Sequence, residues 1–315
     1  MDNLIAFLTN LFSVDFWAAA IRFATPLLFA ALGEIFSERA GVLNIGLEGM
    51  MLSGAFGGML GAYYSGSPWI GLVVAMAAGG TVALIHALIS VTIRGNQVVS
   101  GAAINIAVLG LTTFLVRTIF GVGQRPTVAS FDKWPIPLLS DIPVVGVIFF
   151  QHIPLVYIGY LLIPISSFLL FRTTWGLKIR AVGEHPLAAD TVGVWVAGWR
   201  YGMTVLCGVL AGIGGAFLSL GQLNMFLENM TAGRGFIALA AVIFGRWRPF
   251  LVSLAVVLFG AADASTLRLQ ALNVQIPYQI VLMIPYLLTF LAFIGFCLLY
   301  TSDAADDLLC VDLGG

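Results

Sequence analysis

Only a few side chains in this 315-residue sequence have the types and spacing to do chemistry. Glu34, Glu48 and Asp263 are acids set in long apolar runs, with Arg22 and Arg117 nearer the ends of such runs. Burying charge in hydrocarbon is costly, so an ionisable residue at membrane depth is a candidate for function. Glu48 stands beside Asn44 and among glycines, where bared backbone groups would add to a polar lining; it either faces a solute path or pairs with a buried group that fixes the bundle. Asp263, near the outer end of its helix, reads first as structural. Asn105, Gln222 and Asn224 suit hydrogen bonds to a neutral polar solute and equally suit contacts between helices. Asn44, Gly46, Glu48, Gly49, Asn96, Gln97, Asn105, Asn224 and Asp263 are therefore the candidates for lining a translocation path.

Hydrolysis would need a nucleophile beside a base, or carboxylates paired for acid and base work. His86, His152 and His185 stand far apart, without metal-ligand spacing, and Cys207, Cys297 and Cys310 show no paired pattern, so they read as small apolar fillers. Lysine occurs only at 133 and 178, and the phosphate-cradling Gly-x4-Gly-Lys-Ser/Thr string is missing. If transport is driven by ATP, the energy comes from another subunit. No metal, cofactor or catalytic set is expected.

The elements that must position these residues are membrane helices. Apolar residues make up 60% of the chain and charged residues 9%, with a mean hydropathy of +1.03. Several runs reach the roughly 20 residues that cross a bilayer as a helix, and the alternating pattern of a membrane β-barrel is missing. The expected fold is all-α, a polytopic transmembrane helical bundle with about 8–10 membrane segments. A net charge of −1 with no basic stripe gives no sign of nucleic-acid binding. The first fifteen residues hold Asp2 and Asp15 but no base, unlike a cleavable signal peptide. They put the amino terminus outside the cytoplasm; an interfacial helix over 4–12 is the alternative.

Expected spans are Phe16–Phe36, Leu47–Tyr64, Pro68–Val91, Val98–Phe120, Ile153–Phe171, Tyr201–Gly221, Phe250–Leu267 and Pro277–Leu299. Between the first two lies a polar, glycine-rich interruption, Ser37–Gly49, the pattern of non-helical backbone that lines a cavity. Gly235–Gly245, eleven residues long, is too short to cross and reads as a half-helix packed inside protein. Gly54, Gly57, Gly58 and Gly61 in the second span allow close helix approach. Gly121–Gln151 reads as a proline-rich external segment, and Gln222–Arg234 as polar and external.

The longest polar break is Arg172–Arg200, where four bases face only Glu184 and Asp190. A basic loop between spans lies in the cytoplasm. Alternating outward from it puts Ser37–Arg39, Arg94 and Arg246–Arg248 on the same side. Within it, Gly183-Glu184-His185-Pro186 precedes Leu187–Gly193, a short helix with proline at its first turn and glycine after its end. Such a helix suits docking of a soluble partner; a solvated connector is the alternative.

Four strings, in order across most of the chain, resemble the permease subunits of ABC importers of the ribose, branched-chain amino acid and nucleoside type: Ser37–Phe56, Arg94–Asn105, Arg180–Val194 and Glu228–Trp247. They are most similar to the nucleoside permeases of that family. The resemblance implies a type II-like importer fold, in a multi-pass protein of the bacterial plasma (inner) membrane. It implies three partners: a second homologous permease forming a heterodimer, a cytoplasmic ABC ATPase, and a solute-binding lipoprotein or periplasmic protein. It also makes Gly183, Glu184, His185, Pro186, Ala188, Ala189, Asp190 and Gly193 the ATPase-coupling residues. A simple sugar such as ribose is the alternative cargo, and an ion-coupled secondary transporter the alternative class. The permease domain is expected over 1–299. Residues 300–315, with four aspartates and no base, depart from the family's basic finish and read as a non-native tail, a genuine acidic tail being the alternative.

Overall fold

The structure, a computed structural model, describes residues 13–271 and Met283, with the side chains of 269–271 outside that description. The expected interfacial helix at 4–12, the expected span Pro277–Leu299, the 300–315 tail, Cys297 and Cys310 lie outside the described residues.

Helix α1, Val14–Arg39, opens on Ser13, whose hydroxyl accepts from the Phe16 N–H at 3.3 Å, with Asp15 in the first turn and Arg39 in the last. Both charges oppose the helix dipole favourably. At 1.5 Å per residue this helix runs roughly 39 Å, longer than the roughly 30 Å hydrocarbon core. Then come α2, Leu47–Ser65, and α3, Pro68–Ala87, the latter continued by a π turn over Leu88–Thr92. Helix α4, Gln97–Phe120, is capped by Asn96, whose side chain accepts from the Val98 and Val99 N–H groups. The segment after it contains a short helix, α5, Val145–Phe149. Helix α6, Pro154–Arg172, leads into α7, Thr174–Glu184, and α8, Pro186–Thr191. Helix α9, Val196–Ala216, ends in a π turn over Phe217–Gln222; α10, Arg234–Phe244, and α11, Pro249–Ala271, complete the described chain.

Six of these helices are long and apolar enough to cross a membrane. The second expected span is not among them. Helix α2 is diluted by Glu48, Ser53 and its glycines, and most of it is buried by its neighbours. With partners on most sides, it does not need the hydropathy of a lipid-facing helix. Helix α10 is eleven residues long, roughly 16 Å, and does not span, as its length predicts.

Helices α1 and α9 sit at the centre, with 83% and 78% of their apolar windows buried, whereas α4 and α6 show 28% each. The α2 and α9 backbones come together at Gly54 and Gly212, where a Cβ on either would overlap its neighbours' backbone. Gly212 also lies against the Ala75 carbonyl of α3. Small residues at such crossings replace a hydrophobic driving force that lipid does not supply.

Loops that carry the bases gather at one end. Arg39 meets Glu184, the Trp247 indole N–H donates to Glu38, Arg200 donates to the Ala40 carbonyl at 3.2 Å, and Thr92 meets Tyr201 at 2.5 Å. The opposite end is closed by the segment after α4, which hydrogen-bonds from Val128 to the Asn224 carbonyl and from Phe131 to the Leu220 carbonyl.

Candidate functional site

Two sets of candidate residues end up in different places. The first is inside the bundle, around the break between α1 and α2. After Arg39 the chain folds back, so that the Asn44 N–H donates to Glu34 Oε1 at 2.9 Å, within α1 itself. The Asn44 amide reaches Met50 and Cys207 sulfurs at 3.1 and 3.3 Å, and the Cys207 thiol donates to Glu34 Oε2 at 3.2 Å. Cys207 is therefore part of a polar cluster and not the apolar filler its spacing suggests. Gln97 accepts from the Leu43 N–H at 2.7 Å, and His86 lies 3.3 Å from the Leu43 carbonyl. Asn105 accepts from the Gly49 N–H at 2.8 Å and donates to the Ile45 carbonyl at 2.9 Å. Gly46 packs against the Asn44 side chain and Gly101 of α4. Non-helical backbone at depth must find every partner within the protein, and here α1, α3 and α4 supply them.

Glu48, on the first turn of α2, carries the most telling geometry. Its two carboxylate oxygens accept from the Gly233 and Gly235 N–H groups, at 2.8 and 2.6 Å. Those amides open the half-helix α10, whose unsatisfied N–H groups and dipole make an anion site. The chain fills that site with its own carboxylate. Glu48 thus has two backbone partners. The same contact corrects the reading of Gln222–Arg234 as external throughout: by Gly233 the chain has reached the interior. Arg234 forms an ion pair with Asp263 at 3.6 Å, both mostly shielded.

The remaining path candidates are not brought together. Asn96 is an exposed helix cap near the basic end. Asn224 is exposed at the opposite end, with φ of +55° and its carbonyl bonded to Val128. Near it Glu228 holds Arg117 through two 2.8 Å bonds, and the guanidinium keeps the Glu228 carboxyl below the usual range.

The second set forms a knob at the basic end. His185 separates α7 from α8, Pro186 starts α8, and Gly193 closes it with φ of +81°. Gly183 lies against the Arg39 carbonyl, with no space for a Cβ, so the knob is seated on the end of α1. Glu184 is exposed and 3.9 Å from Arg39, a surface pair of small energetic weight. Ala188 and Asp190 are exposed, but Ala189 is buried at 3% and anchors α8. The apolar side chains turned outward are Leu187, Val192 and Trp195, at 84%, 78% and 76%. Sequence reasoning missed these three, although large apolar residues inside the basic loop were the available signal.

The chain matches the family model described as "Branched-chain amino acid transport system / permease component" over residues 17–293. It is similar to a guanosine ABC transporter permease protein, NupQ, of Bacillus subtilis, 44% identical over 88% of this chain and 90% of that one. A putative glucose ABC transporter permease protein of Haloferax volcanii, TsgC13, is 41% identical over 84% of this chain and 80% of its own. A nucleoside ABC transporter permease protein of Lactococcus lactis, NupC, is 35% identical over 92% and 95%.

Proposed function

The chain belongs to the branched-chain amino acid transport system permease family, and from that premise we propose that this multi-pass transport subunit carries a nucleoside through a bacterial plasma membrane, powered by a separate ATPase. The observation that carries the choice of cargo is Glu48 on the amides of Gly233 and Gly235. Transporters that take anionic solutes present half-helix N-termini to the solute's negative group. Here that end is already neutralised from within, and an amino-acid carboxylate would meet a like charge. A neutral, hydrogen-bonding solute meets no such penalty. Two relatives named for guanosine and nucleosides agree with this, while the relative named for glucose keeps a neutral sugar as the second reading.

The knob at Gly183–Gly193 supports an ATPase contact, since an apolar tip on a helix seated against α1 suits a groove in a soluble partner. The face of α4 that includes Ala103, Ala107 and Gly110 is exposed, and its small residues suit close approach of a second permease. A solute-binding lipoprotein would deliver the cargo at the opposite end. Competition for uptake of labelled guanosine, in cells producing the whole system, tests the cargo. Unlabelled nucleosides are expected to compete and ribose, xylose, glucose and leucine not to; competition by a sugar alone would transfer the assignment to sugar, and by leucine alone would overturn both.

A further inference from the structure

At the end of the bundle opposite the knob, a cavity of about 530 Å³ opens between the start of α1, the Lys133 segment, the Gln151-His152 turn and the end of α11. Its walls carry Arg22, Lys133 and Arg268 against the single acid Asp15. His152 completes the lining and is itself 2% exposed. Its Nε2 lies 2.7 Å from the Ile148 carbonyl, which can only accept, so Nε2 carries a proton. Its Nδ1 is buried and has no partner. A buried imidazole nitrogen without a partner costs stability unless something fills the role. Nothing in the transport reading uses it.

The depth of the cavity suggests what that something is. Two spanning helices begin or end there, and Trp17 and Trp134 stand exposed at the same level, as tryptophans do at the membrane–water interface. An arginine and a lysine on one cavity wall suit the oxygens of a phosphate group, through charge-assisted hydrogen bonds. We propose that this cavity binds a phosphate group, gripped by Arg22 and Lys133 with His152 Nδ1 as the third contact, supplied either by an anionic lipid headgroup or by free phosphate. Neutral Nδ1 accepts a hydrogen bond from a ligand hydroxyl, and protonated Nδ1 donates one to a phosphate oxygen. Burial pushes the His152 pKa down, the hydrogen bond to the Ile148 carbonyl offsets part of that, and the positive charges of Arg22 and Lys133 lower it further. Arg268 adds positive charge to the wall and Asp15 opposes it, while Tyr157 accepts the His152 backbone N–H. An incoming anion favours the imidazolium, so binding takes up a proton and tightens as pH falls.

The full complex, purified and analysed by native mass spectrometry from mixed phosphatidylglycerol and phosphatidylcholine nanodiscs, provides the test, with inorganic phosphate as a competitor. Phosphatidylglycerol should be retained several-fold over phosphatidylcholine, and Arg22→Gln with Lys133→Gln should abolish the preference without loss of assembly. Displacement by inorganic phosphate, together with direct phosphate binding, identifies the free anion as occupant; retention of lipid in excess phosphate identifies the headgroup. The preference should strengthen from about pH 8 to about pH 5, a range that includes a histidine whose own titration is pushed down, and His152→Gln should flatten that dependence. Equal retention of both lipids with no phosphate binding, a preference unchanged in the double variant, or a flat wild-type pH profile would overturn the proposal.

Discussion

Glu48 joins two elements far apart in sequence, because one carboxylate satisfies two amides that open α10. Glu48→Gln keeps one acceptor and removes the charge, turning an amide N–H₂ toward a backbone N–H. The loss is expected to be about 1.5–3 kcal/mol, the usual weight of a hydrogen bond to a charged group. It should lower the melting temperature of the purified protein and impair uptake while the complex still assembles; wild-type melting and uptake would mean that the contact has no such role. The sequence made Glu48 conspicuous as an acid in apolar surroundings, yet its partner was not legible. The Gly233 and Gly235 amides are 185 and 187 residues away, and backbone donors leave no side-chain signature. Cys207 was less legible still: alone, a cysteine reads as a small apolar residue, and only the fold brings Glu34 and Asn44 to it.

Helices α7 and α8 separate two consequences that the sequence could not. Leu187→Asp places a charge on an outward tip, so it should leave the melting temperature unchanged and remove stimulation of the ATPase by loaded binding protein. Ala189→Asp buries an unpaired carboxylate, which is expensive, and should lower stability first. Glu184→Arg puts like charge beside Arg39 and should abolish uptake while affinity of the lipoprotein for solute stays intact; normal uptake would remove the coupling assignment. At the α3–α9 crossing, Gly212→Leu has no space at the Ala75 carbonyl and should reduce the folded yield in membranes, read as monodisperse protein after extraction. The spans α1, α3, α4, α6, α9 and α11 were legible through their apolar runs, and the half-helix α10 through its length. The short helix α5 was not, because five residues among prolines carry no periodic pattern. The π turns ending α3 and α9 were hidden for the same reason: one residue per turn of slippage leaves composition unchanged.

Across the whole molecule, the basic loops share one end and the cavity lined by Arg22, Lys133 and His152 lies at the other, with buried polar contacts stitching the middle. Charge placement made the clustering of loops legible, since the bases of Arg39, Arg94, Arg200 and Arg246–Arg248 mark alternate connections. The path for cargo was less legible, because its proposed polar lining was largely used up in holding broken backbone together: Asn44, Gly49 and Asn105 are bonded within the chain. The central claim is that the protein is a conduit driven by a motor it does not contain. The most direct measurement is accumulation of labelled nucleoside in proteoliposomes, with the permease alone, with an imposed proton or sodium gradient, and with the second permease, the binding protein, the ATPase and ATP. Accumulation is expected only in the complete, ATP-supplied system; gradient-driven accumulation by this chain alone would contradict the account.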